Sequence, residues 1–412
     1  MQIRYIAHIR VEADTPLKVG GNESDFMKDS PIQKDWNGLP MILGTSIAGV
    51  LRKDFGDEAD EVFGSENGSK VIISNALLVD EKGQVHEELL LKKTPFLELF
   101  DSLPQREHTA ITDKGTVKEH SKFDEEIVYK GTQFAFALEM LEDQEAFEKL
   151  LAMLQSPAFR VGGGSTKGFG KLKVLEIRTA VIDTPTALAA YTNSLNNPSG
   201  TSVDLHTSNQ TANHTIYSLK ITPDDFFMFG SGLGDEDADQ IPVVEKIVDY
   251  GTKGLSHQHI LMPASSLKGA IAHRTTYHYN LQNGFYIGDD RARLTIAELF
   301  GEAKNSKQDI TGSRGKLLFS DLFKEDRKEQ KVFDHVAIDR FTGGAMEGAL
   351  FQEKTTAQHD TWEIEILMEH GVEEPFVQAF EATLDDICSG GLALGGATTK
   401  GHGIFTGTWS KS

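Results

Sequence analysis

The 412-residue sequence has one cysteine, three tryptophans and no apolar run of 18 residues. A single Cys388 excludes an intrachain disulfide and a thiolate metal cluster. No His or Asn partner for it is recognisable, so it is expected as buried packing rather than as a nucleophile. Without a long apolar run, and with plain alternation of apolar and polar residues from Met1 to Val11, membrane spanning and secretion lack support, and a cytoplasmic protein with no membrane partner is expected. Basic residues are also short: 41 Lys and Arg face 62 Asp and Glu, a net charge of −21 that excludes a generally basic nucleic-acid coat. The 39% apolar and 25% charged content is that of a folded chain. At about 150 residues per domain, two or three domains fit the length, with two as the starting count.

What the sequence does contain is a repeat. Ile3, Tyr5, Ala7, Ile9 and Val11 share one face of an opening strand, as do Tyr217, Leu219 and Ile221. A loop and helix follow, Leu39-Pro-Met-Ile-Leu-Gly-Thr-Ser-Ile-Ala-Gly-Val-Leu-Arg52 in one half and Ile260-Leu-Met-Pro-Ala-Ser-Ser-Leu-Lys-Gly-Ala-Ile271 in the other. His-x-Ala-Ile then recurs at His108 and His335, and Gly163-Gly-Ser-Thr-Lys-Gly-Phe-Gly170 is answered by Gly396-Ala-Thr-Thr-Lys-Gly-His-Gly403. The steps from Ser46 to His108 to Lys167 are 62 and 59 residues, and from Ser266 to His335 to Lys400 they are 69 and 65. Order is kept and distances differ by loop-sized amounts, so two homologous domains are expected, at 1–182 and 214–412, joined by a solvated linker at 183–213. Turn-bounded strands with a capped helix, and a helical stretch at Asp143 to Leu154, predict an α+β fold of two tandem ferredoxin-like domains.

Several of these features can bind an anion. Ser46 and Ser266 each precede an apolar helix face and read as N-caps, and a helix N-terminus offers N–H groups and a positive dipole end. Gly49 and Gly269, three residues later, would let a phosphate backbone approach; an ordinary capped helix packing against a strand remains the alternative. Lys167 and Lys400 follow Thr and precede Gly, which excludes a Walker A loop, and the dinucleotide fingerprint also fails. What remains is a glycine-rich turn with one Lys, either an anion nest or a tight hairpin. Acidic loops lie at Asn22–Asp29 and Gly234–Asp239; counted from Asp235, the second has Gln240 and Lys246 where an EF-hand needs Gly and Glu, which leaves a carboxylate that could help hold Mg²⁺ or a merely solvated loop. His257-Gln-His259 is too isolated for a metal site, His108 and His335 are expected as hydrogen-bonded structural histidines, and Phe226-Phe227 as core packing.

Together these segments resemble the RAMP superfamily, and within it the backbone subunits of type III CRISPR effector complexes. Asp29-Ser-Pro-Ile-Gln-Lys-Asp followed by the helix to Arg52 looks like the catalytic loop and helix of the Csm-type backbone subunit. Pro263-Ala-Ser-Ser-Leu-Lys-Gly and Ala337-Ile-Asp-Arg-Phe-Thr-Gly-Gly-Ala345 look like that family's helix and protruding thumb hairpin. The tandem arrangement resembles the fused subunits of type III-D-like systems. The resemblance implies two RRM-like domains, each with a thumb hairpin and a glycine-rich loop, that bind CRISPR RNA among other effector subunits while the thumbs interrupt its pairing with complementary target RNA. It further implies endoribonuclease cleavage of that target, dependent on Mg²⁺ or Mn²⁺, with Asp29 and Asp239 as catalytic and metal-holding residues. Asp237 is the alternative in the second half, because Asp239-Gln-Ile-Pro carries one residue more before proline than Asp29-Ser-Pro.

RNA contacts implied in the same way are Ser46, Gly49, Arg52, Gly163, Gly164, Lys167 and Gly168 in the first half. In the second they are Ser265, Ser266, Lys268, Gly269, Arg340, Gly396, Lys400 and Gly401. The family's helix often carries Lys two residues and Arg six residues after the cap; here Arg52 is joined by Ala48, and Lys268 by Ala272, with Arg274 two positions further on. The first thumb, Ala110–Thr116, lacks the Asp339-Arg340 pair. Competing readings are a purely architectural guide-RNA-binding subunit and a metal-independent nuclease that processes CRISPR precursor RNA with a histidine base. The net charge leads to the expectation of an acidic outer surface and of stable RNA binding only in the assembled complex.

Overall fold

The computed structural model describes residues 2–20, 31–66, 68–111, 121–205, 213–286, 296–302 and 312–412. In the first half β1 (Arg4–Ala13) lies centrally, α1 (Gly44–Phe55) follows, and β2 (Ala76–Leu78) leads to a projecting hairpin, β3 (Gln105–His108) with β4 (Phe123–Glu126). Then come β5 (Gln133–Leu141), α2 (Gln144–Leu154) and β6 (Leu172–Ile182). The antiparallel order is β2-β5-β1-β6, with Ala7 opposite both Leu138 and Thr179. This is the βαββαβ ferredoxin-like plan.

The second half repeats it with β7 (His214–Pro223), α3 (Ala264–Gln282) and β8 (Leu317–Leu318), then the hairpin β9 (Gln330–His335) and β10 (Phe351–Thr356). β11 (Trp362–Glu369), α4 (Glu374–Cys388) and β12 (Phe405–Lys411) complete it, in the order β8-β11-β7-β12.

The alternation read in the opening strands is what buries them. Ala7, Ile9 and Val11 enter the first core and Tyr217, Leu219 and Ile221 the second, while Ile3 stays at the surface. Helix faces spaced three or four apart cover each sheet: Ile47, Leu51 and Phe55 from α1, and Leu267 and Ile271 from α3. Asp143 caps α2 by accepting from Ala146 N–H at 3.0 Å. Phe227 is core, whereas Cys388 is only partly buried at the edge of the second core. The segment expected as a solvated tether is more than that over its described residues. It forms a short helix, Pro185–Ala190, and Thr201–Ser202 pairs with β6. Asn196 brackets Val85 with both amide groups. Among the described residues no helix is long and apolar enough to cross a membrane.

The two halves are locked together by a segment that only the second contains. The backbone bond from Met41 N–H to Gln33 O corresponds to that from Leu261 N–H to Val243 O, yet it closes 8 residues in the first half and 18 in the second. The ten extra residues make a small hairpin, Val248–Asp249 with Gly254–Leu255, that packs into the first half's core. Val248 is buried there, and its N–H donates to Lys130 O at 2.9 Å. The Tyr250 hydroxyl donates to Val79 O at 2.7 Å and accepts from Gln133 N–H at 3.0 Å, its ring lying 5.1 Å from Phe96. Burial pushes that hydroxyl's pKa up, so it remains a neutral donor and acceptor across the working pH range. Tyr250→Phe keeps the ring but leaves Val79 O and Gln133 N–H without their partner, and is expected to lower stability by about 1–3 kcal/mol. The check is a urea unfolding midpoint that falls with an unchanged slope.

Candidate nucleic-acid interface

Helix starts come first, because they correct the capping assignment. α1 begins at Gly44 and α3 at Ala264, so Ser46 and Ser266 are third helical residues rather than N-caps. Leu43 and Pro263 take the extended cap conformation, and neither bonds a helix N–H through its side chain. The caps come from the sheet instead. Asn75 Oδ1 accepts from Gly44 N–H at 2.9 Å, and Asp321 Oδ1 accepts from Ala264 N–H at 2.8 Å. The signal was a fifth repeated segment, Ile73-Ser-Asn-Ala-Leu77 against Phe319-Ser-Asp-Leu-Phe323. A Cβ at Gly49 or at Gly269 would touch nothing within 4 Å, so both positions stay open to an incoming backbone.

The other Asp321 oxygen holds the halves together. It takes Arg106 Nη1 at 2.5 Å, while Nε and Nη2 of the same guanidinium grip Glu245. Arg160 donates to Ser320 Oγ at 3.0 Å beside it. The joint brings the first half's glycine-rich loop onto the start of α3: Gly168 bridges to Ser320, and a Cβ at Gly168 would run into Ala264 and the Asp321 carboxylate. Lys268 Nζ donates to Thr166 Oγ1 at 3.0 Å. Burial first, and then the charge of Lys167, push the Lys268 ammonium down to about 8. Among the described residues neither Lys167 nor Lys268 has a carboxylate partner. Gly163, Gly164, Lys167, Gly168, Ser265, Ser266, Lys268 and Gly269 thus belong to two segments, one from each half, that meet at one seam, where Gly163, Lys167 and Ser266 are exposed and Gly168 is buried.

Other sequence candidates fall elsewhere. Arg52 is tied to Gly64 O and Asp60 at the far end of α1. Arg340 stands at the exposed tip of the second hairpin, where Phe341 is fully exposed. Gly396, Lys400 and Gly401 lie in the second half's own glycine-rich loop, where Gly396 packs on Met228 and Lys400 turns inward to Glu353 Oε2 at 2.6 Å. Glu353 is fully buried, with His335 and His402 at 3.7 and 3.3 Å. The first half repeats the arrangement with Glu125, Lys18 and His108. Burial raises the Glu125 carboxyl, but His108 and Lys18 beside it outweigh that and hold the group near 2. His108 stacks on Phe123 and His335 on Phe351, with Lys167 and Lys400 over the same two rings. Both histidines are therefore fixtures of the hairpin base, but through stacking and a nearby carboxylate rather than the expected hydrogen bond, since Nε2 of each is buried 3.3 and 3.7 Å from its glutamate without a hydrogen-bond partner among the described residues.

The same hairpins anchor the acidic loops. Gly20 bridges to Ile32 and Gly230 to Pro242, twelve residues apart in both halves, and by residue count Asp239 stands three residues before its bridge, as Asp29 does in the sequence, whereas Asp237 stands five before. Asp29 itself lies outside the described residues. Ile32 N–H is held by Glu126 at 3.1 Å, and the second loop by Lys354, which binds Asp235 and Asp237. Glu126 and Lys354 occupy the same strand position. Asp239 is exposed and accepts from Gln352 N–H at 2.8 Å. On its other side the loop approaches the first hairpin, where Gly232 lies against Glu107. Among the described residues no three His, Cys, Asp or Glu side chains form a cage for a metal. The donor chemistry fits Mg²⁺ or Mn²⁺ in a looser way: Asp239 offers a hard oxygen without a cation partner among the described residues, and a phosphate and water would complete the shell.

No curated protein matches the chain. A similar solved chain comes from the cryo-EM structure of the Type III-B Cmr-beta bound to cognate target RNA; it is 16% identical, with 43% of this chain and 60% of that chain aligned at a TM-score of 0.33. The chain thus spans about three fifths of the length of that solved chain. The RAMP superfamily pattern matches residues 10–173 and again residues 228–406. With both halves matched, most of its length, the chain belongs to the RAMP superfamily.

Proposed function

We propose that this chain is a guide-RNA-binding backbone subunit of a type III CRISPR effector complex that cuts paired target RNA through Asp29 and Asp239. The observation that carries the reading is the equal twelve-residue span of the two acidic loops, each tied to the base of its own hairpin. Two aspartates in one register, one per domain, make two equivalent cutting positions. The Lys167 and Lys268 seam holds guide phosphates, with backbone N–H groups of the glycine-rich loop adding donors that no charge count includes. The exposed second hairpin, with Phe341 at its tip, parts guide from target beside Asp239. The bound divalent ion would supply charge neutralisation at the scissile phosphate. The protein's part is to hold a carboxylate at the displaced nucleotide and to fix its direction through Gln352 N–H.

Asp239→Asn keeps the acceptor for Gln352 and removes the charge. In the complex purified from its host it is expected to cut target RNA about a hundredfold more slowly at one set of positions, with guide content unchanged. Asp29→Asn is expected to silence the alternate positions. Unchanged cutting in both variants leaves an architectural subunit, and cutting that survives EDTA points to metal-independent chemistry.

Lys268 adds a pH dependence. A phosphate favours the charged ammonium, so guide affinity is expected to be level well below pH 8 and to fall as pH rises through about 8. Arg stays charged throughout, so Lys268→Arg flattens the curve. Fluorescence anisotropy of labelled single-stranded RNA on the complex between pH 6.5 and 9, the range set by that value, reads both.

A further inference from the structure

The internal joint has an open counterpart. Glu245, Ser320, Asp321 and Phe323 of the second half receive Arg106, Arg160, Arg106 and Lys130 of the first. Their equivalents in the first half are Asp35, Ser74, Asn75 and Leu77, by the paired bonds of Gln33 with Val19 and Val243 with Phe229, and by the two sheet-borne helix caps. All four line one cleft of about 370 Å³, together with Trp36 and Glu87. Trp36 is 73% exposed in the turn that takes the place of the inserted hairpin. Asp35 keeps one oxygen on Asn37 and Leu39 N–H. Burial holds its carboxyl above the ordinary aspartate value despite the nearby Lys93 and His86, which pair with Asp101 and Asp80 instead, so among the described residues no cation forms an ion pair with it. Glu245, at the same position, has a bidentate guanidinium.

We propose that this cleft is the socket for an arginine side chain presented by an extended strand of a different protein chain. The guanidinium would pair with Asp35 and Glu87 and lie against the Trp36 ring, as Arg106 pairs with Glu245 and Asp321 and lies 5.0 Å from Phe169. A second copy of this chain does not supply it. In the hairpin register Arg106 faces Glu125 and Phe333 faces Glu353, so the second half carries Phe333 where the first carries Arg106. The place of Arg160, three residues before the glycine-rich loop, is Ala393. The partner is therefore another protein with a hairpin like the first half's and an arginine two residues before its strand end. The inference rests on the joint and not on the RNA reading, so either can fail alone.

The test uses the full chain and a capped nonapeptide of the sequence Ser102–Ala110, with versions carrying citrulline or lysine in place of the arginine. Trp36 emission reports occupancy: Trp362 is 1% exposed, Trp409 lies in the second half against Tyr217 and Asp385, and Trp36→Phe identifies the signal. The arginine peptide is expected to give a saturable change that weakens with salt, and the citrulline peptide to bind about tenfold more weakly. Asp35→Asn, which keeps the acceptor for Asn37 and Leu39, combined with Glu87→Gln should cost a similar factor; if that variant fails to fold, the exposed Glu87→Gln alone should still weaken binding measurably. Equal binding of the citrulline peptide overturns the proposal. So does a site filled by adenosine and indifferent to the peptide, which would make it a nucleobase pocket, or self-association of the chain in sedimentation that the arginine peptide does not disturb.

Discussion

The carboxylate of Asp321 sits at the centre of the molecule's organisation, because its two oxygens serve two different structures. One closes the N-terminus of α3 and the other anchors Arg106 from the neighbouring half. Buried charges are tolerated when paired and fully hydrogen-bonded, and costly otherwise. Asp321 is therefore a position where helix geometry and domain geometry must be satisfied at once. When Arg106 is in place, the glycine-rich loop is pressed against the first turn of α3, and Thr166 meets Lys268. The seam that can hold an anion is a consequence of the joint, and neither half has it alone.

Duplication explains both the similarity and the asymmetry. Each half caps its helix from its own sheet, but the first uses the neutral Asn75 and the second the charged Asp321. The charged version uses its second oxygen to anchor a guanidinium within the chain. The ten-residue hairpin around Tyr250 follows the same logic, since it exists only on the face that meets another domain within the chain. The second half has diverged where it faces outward: Phe333 replaces the arginine, and Lys400 and His402 close over Glu353. A buried glutamate at each hairpin base fixes that hairpin's direction, with Lys18 doing for Glu125 what Lys400 does for Glu353.

Much of this was legible from residue order. Alternation in β1 and β7, the apolar spacing of α1 and α2, the repeat and its spacing, and the ferredoxin-like plan all follow from local patterns. The helix caps did not, because Ser46 and Ser266 satisfy the local rule for a cap, while the groups that act come 31 and 57 residues later from a strand. The equal count from Asp29 and from Asp239 to the loop-closing bridge was obscured for a related reason. Proline looks like a fixed landmark, but the bridge falls on Ile32 in one loop and on Pro242 in the other. Lys400 read as a ligand-facing cation because its neutralising partner, Glu353, is 47 residues away. Local chemistry is visible in a sequence, whereas partners brought by tertiary pairing are not.

The net charge of −21 looks hostile to a polyanion until the cations are sorted by partner. Arg52, Lys18, Lys354 and Lys400 are neutralised by Asp60, Glu125, the acidic loop and Glu353. Lys167 and Lys268 stand apart, close enough for one to lower the other's pKa. Two like charges held together without a counterion are unfavourable in the empty protein, and that cost is relieved when a phosphate arrives. An acidic surround, screened over about 8–10 Å at physiological salt, works against a strand wherever such unpaired cations are lacking. Few phosphate contacts mean a shallow salt dependence for one subunit, so tight holding of a long strand requires many seams in line. On the proposed RNA reading, an acidic chain of this design favours a strand already gripped by its neighbours over one free in solution.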